Sequence, residues 1–284
     1  MSNSSTSEGG RSSTSTTVSA DPLPTNSYTS TDLAGLSQAA PNQNGIVPAP
    51  SPVLTQPPSV DSLFTYGSSA QHKAAAREYT IGEEIANAVS HGVGALLAIA
   101  GMVLCILFAA HDGGGILLIA ALAYSIPMFL SYLMSTLYHA LTAPRAKRVF
   151  KILDHCAVYL FIAGSYTPYC LVTLADSGGI LLCTFVWLVA AVGVAIEAFW
   201  VLRPRWVSAL IYLALGWSVV VYLPTLVNLL APTGMVLLVL GGICYTIGCL
   251  FYVLKKVPYM HFVFHLFVLA GSIFQFLSIL LYVL

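Results

Sequence analysis

Charge is what this 284-residue chain has least of: Asp, Glu, Lys and Arg make up 8% of it, against 57% hydrophobic residues and a mean hydropathy of +0.83. A soluble domain carries about a quarter of its residues as charged side chains, so this composition excludes one and predicts an integral membrane protein. Eleven basic residues balance eleven acidic ones. That leaves no positive excess for a phosphate backbone, so no nucleic-acid partner is expected, and no feature points to a soluble protein partner. The six cysteines (Cys105, Cys156, Cys170, Cys183, Cys244, Cys249) fall in apolar segments without a CxxC pair, which predicts reduced packing residues. There is no GxSxG nucleophile motif and no P-loop. The last apolar run holds no lysine, which excludes a retinal Schiff base there.

Residues 1–76 lack what the remainder has, long apolar runs. They are rich in Ser, Thr, Pro, Gly, Asn and Gln ("SNSSTSEGGRSSTSTT", "PNQNGIVPAPSPVLTQPPS") and are expected to form a disordered tail, because they cannot bury enough apolar surface to offset the entropy of ordering. No apolar core behind a basic start marks a secretory signal, and one arginine (Arg11) before Lys73 makes a poor mitochondrial presequence. A plastid-type transit peptide stays open.

From Glu84 onward the chain divides into seven apolar runs of about twenty residues or more, near 85–110, 116–141, 153–174, 179–201, 207–228, 235–254 and 261–284. Each has the length a helix needs to cross roughly 30 Å of hydrocarbon. The predicted fold is therefore all-α, a polytopic membrane domain over 77–284 with seven transmembrane helices. All eleven basic residues fall in the tail or in the second, fourth and sixth loops. Cytoplasmic loops retain positive charge, so the N-terminus is expected in the cytoplasm, the C-terminus outside, and the plasma membrane as the host. Pro127, Pro168 and Pro224 lie within runs and are expected to kink them.

Polar residues inside a span are costly and therefore informative. Glu84, Asn87 and His91 share one face of the first run, and Ser131, Ser135 and His139 one face at the end of the second. Asp154 and His155 open the third run, and "HFVFH" opens the seventh with His261 and His265 one turn apart. Under the predicted topology these four groups lie in one leaflet. His261 and His265 face one ion, and His139 from another helix completes a three-histidine set, the arrangement in which zinc keeps a position open for water. Asp154 is the acid expected to hold or deprotonate that water, and Ser135 to add a supporting hydrogen bond. Ligand type alone does not separate zinc from haem, iron or copper. Glu84, Asn87 and His91 are candidates for a supporting layer; for His91 the alternative reading is a plain helix-to-helix hydrogen bond with Glu84 or Asn87. His155 reads more simply as structural, and Glu197 as a group that snorkels to the interface or pairs with Arg203.

The segments "EEIANAVSHGVGALLAIAG", "STLYHAL", "LDHCAVYLFIAGSYTP" and "HFVFHLFVLAG" resemble, in order, the motifs of the hemolysin III family, the bacterial-type branch of the progestin and adipoQ receptor superfamily. The resemblance runs from about residue 78 to the end and omits the tail. It implies a seven-helix fold with a cytoplasmic N-terminus and a zinc site near the cytoplasmic face. The family's Ser-xxx-His falls on Ser135 and His139, its Leu-Asp on Asp154, and its HxxxH on His261 and His265. Relatives include the adiponectin receptors, linked to ceramide hydrolysis, and the superfamily is grouped with alkaline ceramidases. The resemblance thus implies a metal-dependent hydrolase of lipid amide or ester bonds. The alternatives are a non-enzymatic receptor or regulator of membrane lipid state with structural zinc, and the cytolytic pore or transporter suggested by the family's name. Membrane lipids are the expected partners throughout.

Overall fold

The computed structural model describes residues 79–111, 113–199, 204–254 and 256–284. The tail expected over 1–76 lies outside them, as do Asp112, Arg203 and Lys255. Among the described residues the chain is helical without a strand: α1 (Ile81–His111), α2 (Gly115–Ala140), α3 (Pro144–Pro168), α4 (Gly179–Phe199), α5 (Arg205–Gly216), α6 (Leu223–Leu229), α7 (Pro232–Val253) and α8 (Met260–Tyr282). A π-helical turn, Tyr169–Thr173, prolongs α3, and a 3₁₀ stretch, Trp217–Tyr222, joins α5 to α6. Among the described residues, seven segments are long and apolar enough to cross a membrane, with α5 and α6 together forming the fifth. The protein is a multi-pass membrane protein, and its predicted fold class holds.

The faces are inverted relative to a soluble bundle. Large apolar side chains such as Leu96, Leu97, Ile180, Leu181 and Val221 are exposed, while Asn87, Ser90, His91, Glu197 and Gln275 are buried. Hydrocarbon outside a bundle solvates leucine as well as its interior does, so the inside is where polar groups find partners.

Three boundaries differ from the hydropathy pattern. α1 starts at Ile81 and its 31 residues span about 46 Å, longer than the hydrocarbon is thick. α3 starts at Pro144 and not near 153, so Arg145, Lys147, Arg148 and Lys151 ride on its first turns. Backbone hydrogen bonding continues past the apolar run because a helix needs no lipid to propagate, and proline is favourable in the first turn. Pro224 does not kink a continuous fifth helix; it stands in the first turn of α6, after the 3₁₀ break. Tyr166 of α3 meets that break. Its hydroxyl lies 2.6 Å from the Gly216 carbonyl and 3.0 Å from that of Leu215, and accepts from the Val219 N–H at 2.9 Å. Irregular backbone at membrane depth persists where protein groups satisfy it in this way.

Two close approaches draw the helices around the histidines. A Cβ on Gly94 of α1 would lie 2.5 Å from the Tyr132 ring, so α1 and α2 meet at that glycine. Tyr132 then donates to Ser272 Oγ of α8 at 2.7 Å. Pro127 cannot donate to the Ala123 carbonyl, and Gly164 of α3 packs against that same oxygen, where a Cβ would come within 2.5 Å.

The mouth of α1 is fixed by a capping box. Thr80 N–H donates to Glu83 Oε2 at 2.9 Å, Glu83 N–H donates back to Thr80 Oγ1 at 3.3 Å, and Glu83 Oε1 accepts from the Tyr259 N–H at 2.8 Å. Tyr259 has φ 60° and immediately precedes α8. One buried carboxylate thus seats the first turn of α1 beside the first turn of α8, which sets their polar faces level.

Candidate metal centre

His139 stands near the end of α2, and His261 and His265 in the first turns of α8; all three are buried. One nitrogen from each lies within 4.8 Å of the others, so the three together can hold a metal ion. His265 Nε2 and His261 Nε2 are 3.2 Å apart. The surrounding bonds decide which nitrogens carry protons. Glu84 Oε2 accepts from His139 Nδ1–H at 2.6 Å, the tautomer that in a neutral ring puts the lone pair on Nε2; that atom is buried and has no protein partner. His265 Nδ1 lies 3.3 Å from the Asn87 carbonyl and 3.1 Å from Ser90 Oγ, which itself donates to that carbonyl at 2.9 Å. A carbonyl only accepts, so Nδ1 is the protonated nitrogen and Nε2 presents a lone pair. Imidazoles held by the far nitrogen, with the near one turned inward, are the arrangement of metal-ligating histidines.

Lys147 Nζ lies 2.8 Å from Glu84 Oε1, so the carboxylate that orients His139 has a cation on its other oxygen. Tyr79 stacks on His261 with ring centroids 5.2 Å apart and covers the set from the end of the bundle.

The other expected site residues sort by position. Asp154 is half-buried, Ser135 is buried, and both line a cavity of about 330 Å3 that also touches His91 and His261; Asp154 is not one of the three converging groups. Asn87 acts through its backbone carbonyl, and its buried side-chain amide makes no hydrogen bond. The bond expected from His91 to Glu84 or Asn87 is not made: both ring nitrogens lack partners, and the ring stacks on His265 at 3.5 Å and meets Tyr132 edge-on at 5.0 Å. Glu84 goes to His139 instead. Glu197 does not snorkel; it is buried, and its Oε1 accepts from His155 Nδ1 at 2.6 Å. The alternative partner, Arg203, lies outside the described residues.

Ser90 and Glu83 were not among the expected residues. Both had a signal: Ser90 follows Asn87 by three and so shares its helical face, and Thr80-x-x-Glu83 is a capping-box sequence. The Glu197 to His155 pairing had none, since the two are 42 residues apart.

The cavity runs from this polar layer between the helices toward Gln275 of α8, with mostly apolar walls that include Phe161, Val239 and Val268. Its volume is at the small end of the range for organic ligands.

Comparison with known proteins agrees with the motif order. A family model described as Haemolysin-III related matches residues 79–276. Hemolysin-3 of Bacillus cereus is 42% identical over 202 residues, 71% of this chain and 92% of that protein. The hemolysin-3 homolog of Bacillus subtilis (strain 168) is 41% identical over 204 residues, 72% and 96% of the two chains. Human monocyte to macrophage differentiation factor is 26% identical over 169 residues, 57% of this chain and 69% of the factor. No solved structure matches. With most of the described chain inside the family match and its motifs gathered in one layer, this protein belongs to the haemolysin-III related family, within the progestin and adipoQ receptor superfamily.

Proposed function

We propose that this chain is a zinc-dependent membrane hydrolase that cleaves amide or ester bonds of membrane lipids, with His139, His261 and His265 holding the ion. The observation that carries the proposal is the convergence of three buried imidazoles, one of which, His261, lines the polar end of an apolar cavity. Two nitrogens on one tetrahedral zinc, each about 2.0–2.1 Å from it, stand about 3.3–3.4 Å apart, and the His261 to His265 separation of 3.2 Å fits that spacing. His139 Nε2, buried without a partner, fits a third ligand. Zinc supplies Lewis acidity, polarising a carbonyl oxygen and lowering the pKa of water.

The chain's own residues do the rest. Asp154 on the cavity wall is the group we assign to take a proton from the water that attacks the carbonyl and to return it to the leaving amine or alcohol. Ser135 positions the reacting group from the same wall. The apolar cavity holds an acyl chain and keeps bulk water away. Positive residues on the first turns of α3 support a cytoplasmic site, since Lys and Arg mark the cytoplasmic side, and the plasma membrane is the host we assign.

The test is elemental analysis of the purified full chain together with a search for released lipid products. One zinc per chain with products that disappear in Asp154→Asn while zinc is retained is the expected result. Zinc retained and cellular function unchanged in Asp154→Asn would instead support a receptor with a structural ion. Dye release from liposomes by the wild-type chain would support a pore.

A further inference from the structure

The far end of the cavity is less apolar than an acyl chain requires. Gln275 lines it, is 9% exposed, and its Oε1 is buried without a partner. Its polar neighbours on α8 are answered: Ser272 Oγ receives Tyr132 OH at 2.7 Å and meets Tyr245 OH at 3.1 Å, and Ser278 Oγ receives Tyr169 OH at 2.8 Å. Gln275 alone of the three has no tyrosine. Room has nonetheless been made for it, since α7 presents Gly241, where a Cβ would come within 2.8 Å of Gln275 Cγ. A buried amide kept at such a position costs free energy until something bonds to it.

We propose that Gln275 is a specificity residue and that the cavity takes a lipid with a hydroxyl part-way down its chain, roughly 15 Å beyond the group held at the histidine end. Gln275 follows His265 by ten residues on one helix, which sets that distance at about 1.5 Å per residue. An extended chain advances about 1.2 Å per bond, so the hydroxyl falls roughly a dozen bonds from the head. A hydroxyl both donates and accepts, and so answers either atom of the amide. The proposal rests on the hydrolase reading only for the direction in which the lipid enters, head toward the histidines.

The experiment measures binding, not turnover. The full chain in detergent is titrated with stearate, with stearate hydroxylated in mid-chain, and with stearate hydroxylated beside the carboxylate. The wild type should bind the mid-chain isomer about tenfold tighter than either of the others. Gln275→Leu and Gln275→Met should lose that preference and bind stearate at least as well as wild type. Equal binding of the three lipids by wild type, or a preference that survives in both variants, overturns the proposal. If a variant does not fold, the comparison of the two hydroxylated isomers on the wild-type chain decides alone. A preference here with no lipid product in the separate search for hydrolysis leaves this inference standing without the enzyme; products there without a preference here do the reverse.

Discussion

Among the described residues, two glutamate–histidine pairs share the same 2.6 Å contact, and they are built inside out relative to each other. In Glu84–His139 the ring is fully buried and the carboxylate side chain is 21% exposed, with Lys147 beside it. In Glu197–His155 the carboxylate side chain is 3% exposed and the ring 20%. The first arrangement keeps the anion at the edge, where a lysine and water share its charge, and sends the ring inward toward two other imidazoles. The second puts the anion itself in the interior, where its histidine is needed to make burial tolerable. The same local chemistry therefore orients a converging imidazole in one place and makes a buried carboxylate tolerable between α3 and α4 in the other.

Substitutions separate the two roles. The largest effect is expected from His139→Ala, which removes a converging nitrogen: bound zinc should fall from one per chain to near none by elemental analysis, and a chain that kept its zinc would refute the three-histidine set. Glu84→Ala should keep the ligands but loosen them, with about 10- to 100-fold weaker metal affinity in a chelator competition. Glu197→Ala should leave metal affinity unchanged and lower thermal stability, at about 1–3 kcal/mol for the stranded partner. If Glu197→Ala weakened metal binding as much as Glu84→Ala, the distinction between the pairs would collapse. Ser90→Ala should have the smallest effect, a few-fold loss of metal affinity, because the Asn87 carbonyl still holds His265 Nδ1.

Much of the site was legible before any fold was known. His261 and His265, one turn apart, must share a face on any helix, and so must Ser135 and His139. The topology argument from basic loops then brought the four polar groups to one level. What stayed illegible was pairing. Glu83 and Glu84 are adjacent and about 100° apart on α1, so one turns to the Tyr259 N–H and its neighbour to His139, and nothing in the sequence says which. The hydrogen bond that is one of two readings of His91 gives way to a ring stack, because its neighbour His265 comes from the far end of the chain.

By itself, the sequence determined the number of spans, their helical class and the faces on which the histidines sit, because hydrophobic length and the 3.6-residue period act within one segment. Only the tertiary structure decided which carboxylate serves which imidazole, that Pro224 begins a helix after a break, and that a cavity reaches Gln275. Those outcomes depend on contacts between segments tens of residues apart, such as the 55 between Glu84 and His139, and no local pattern encodes them.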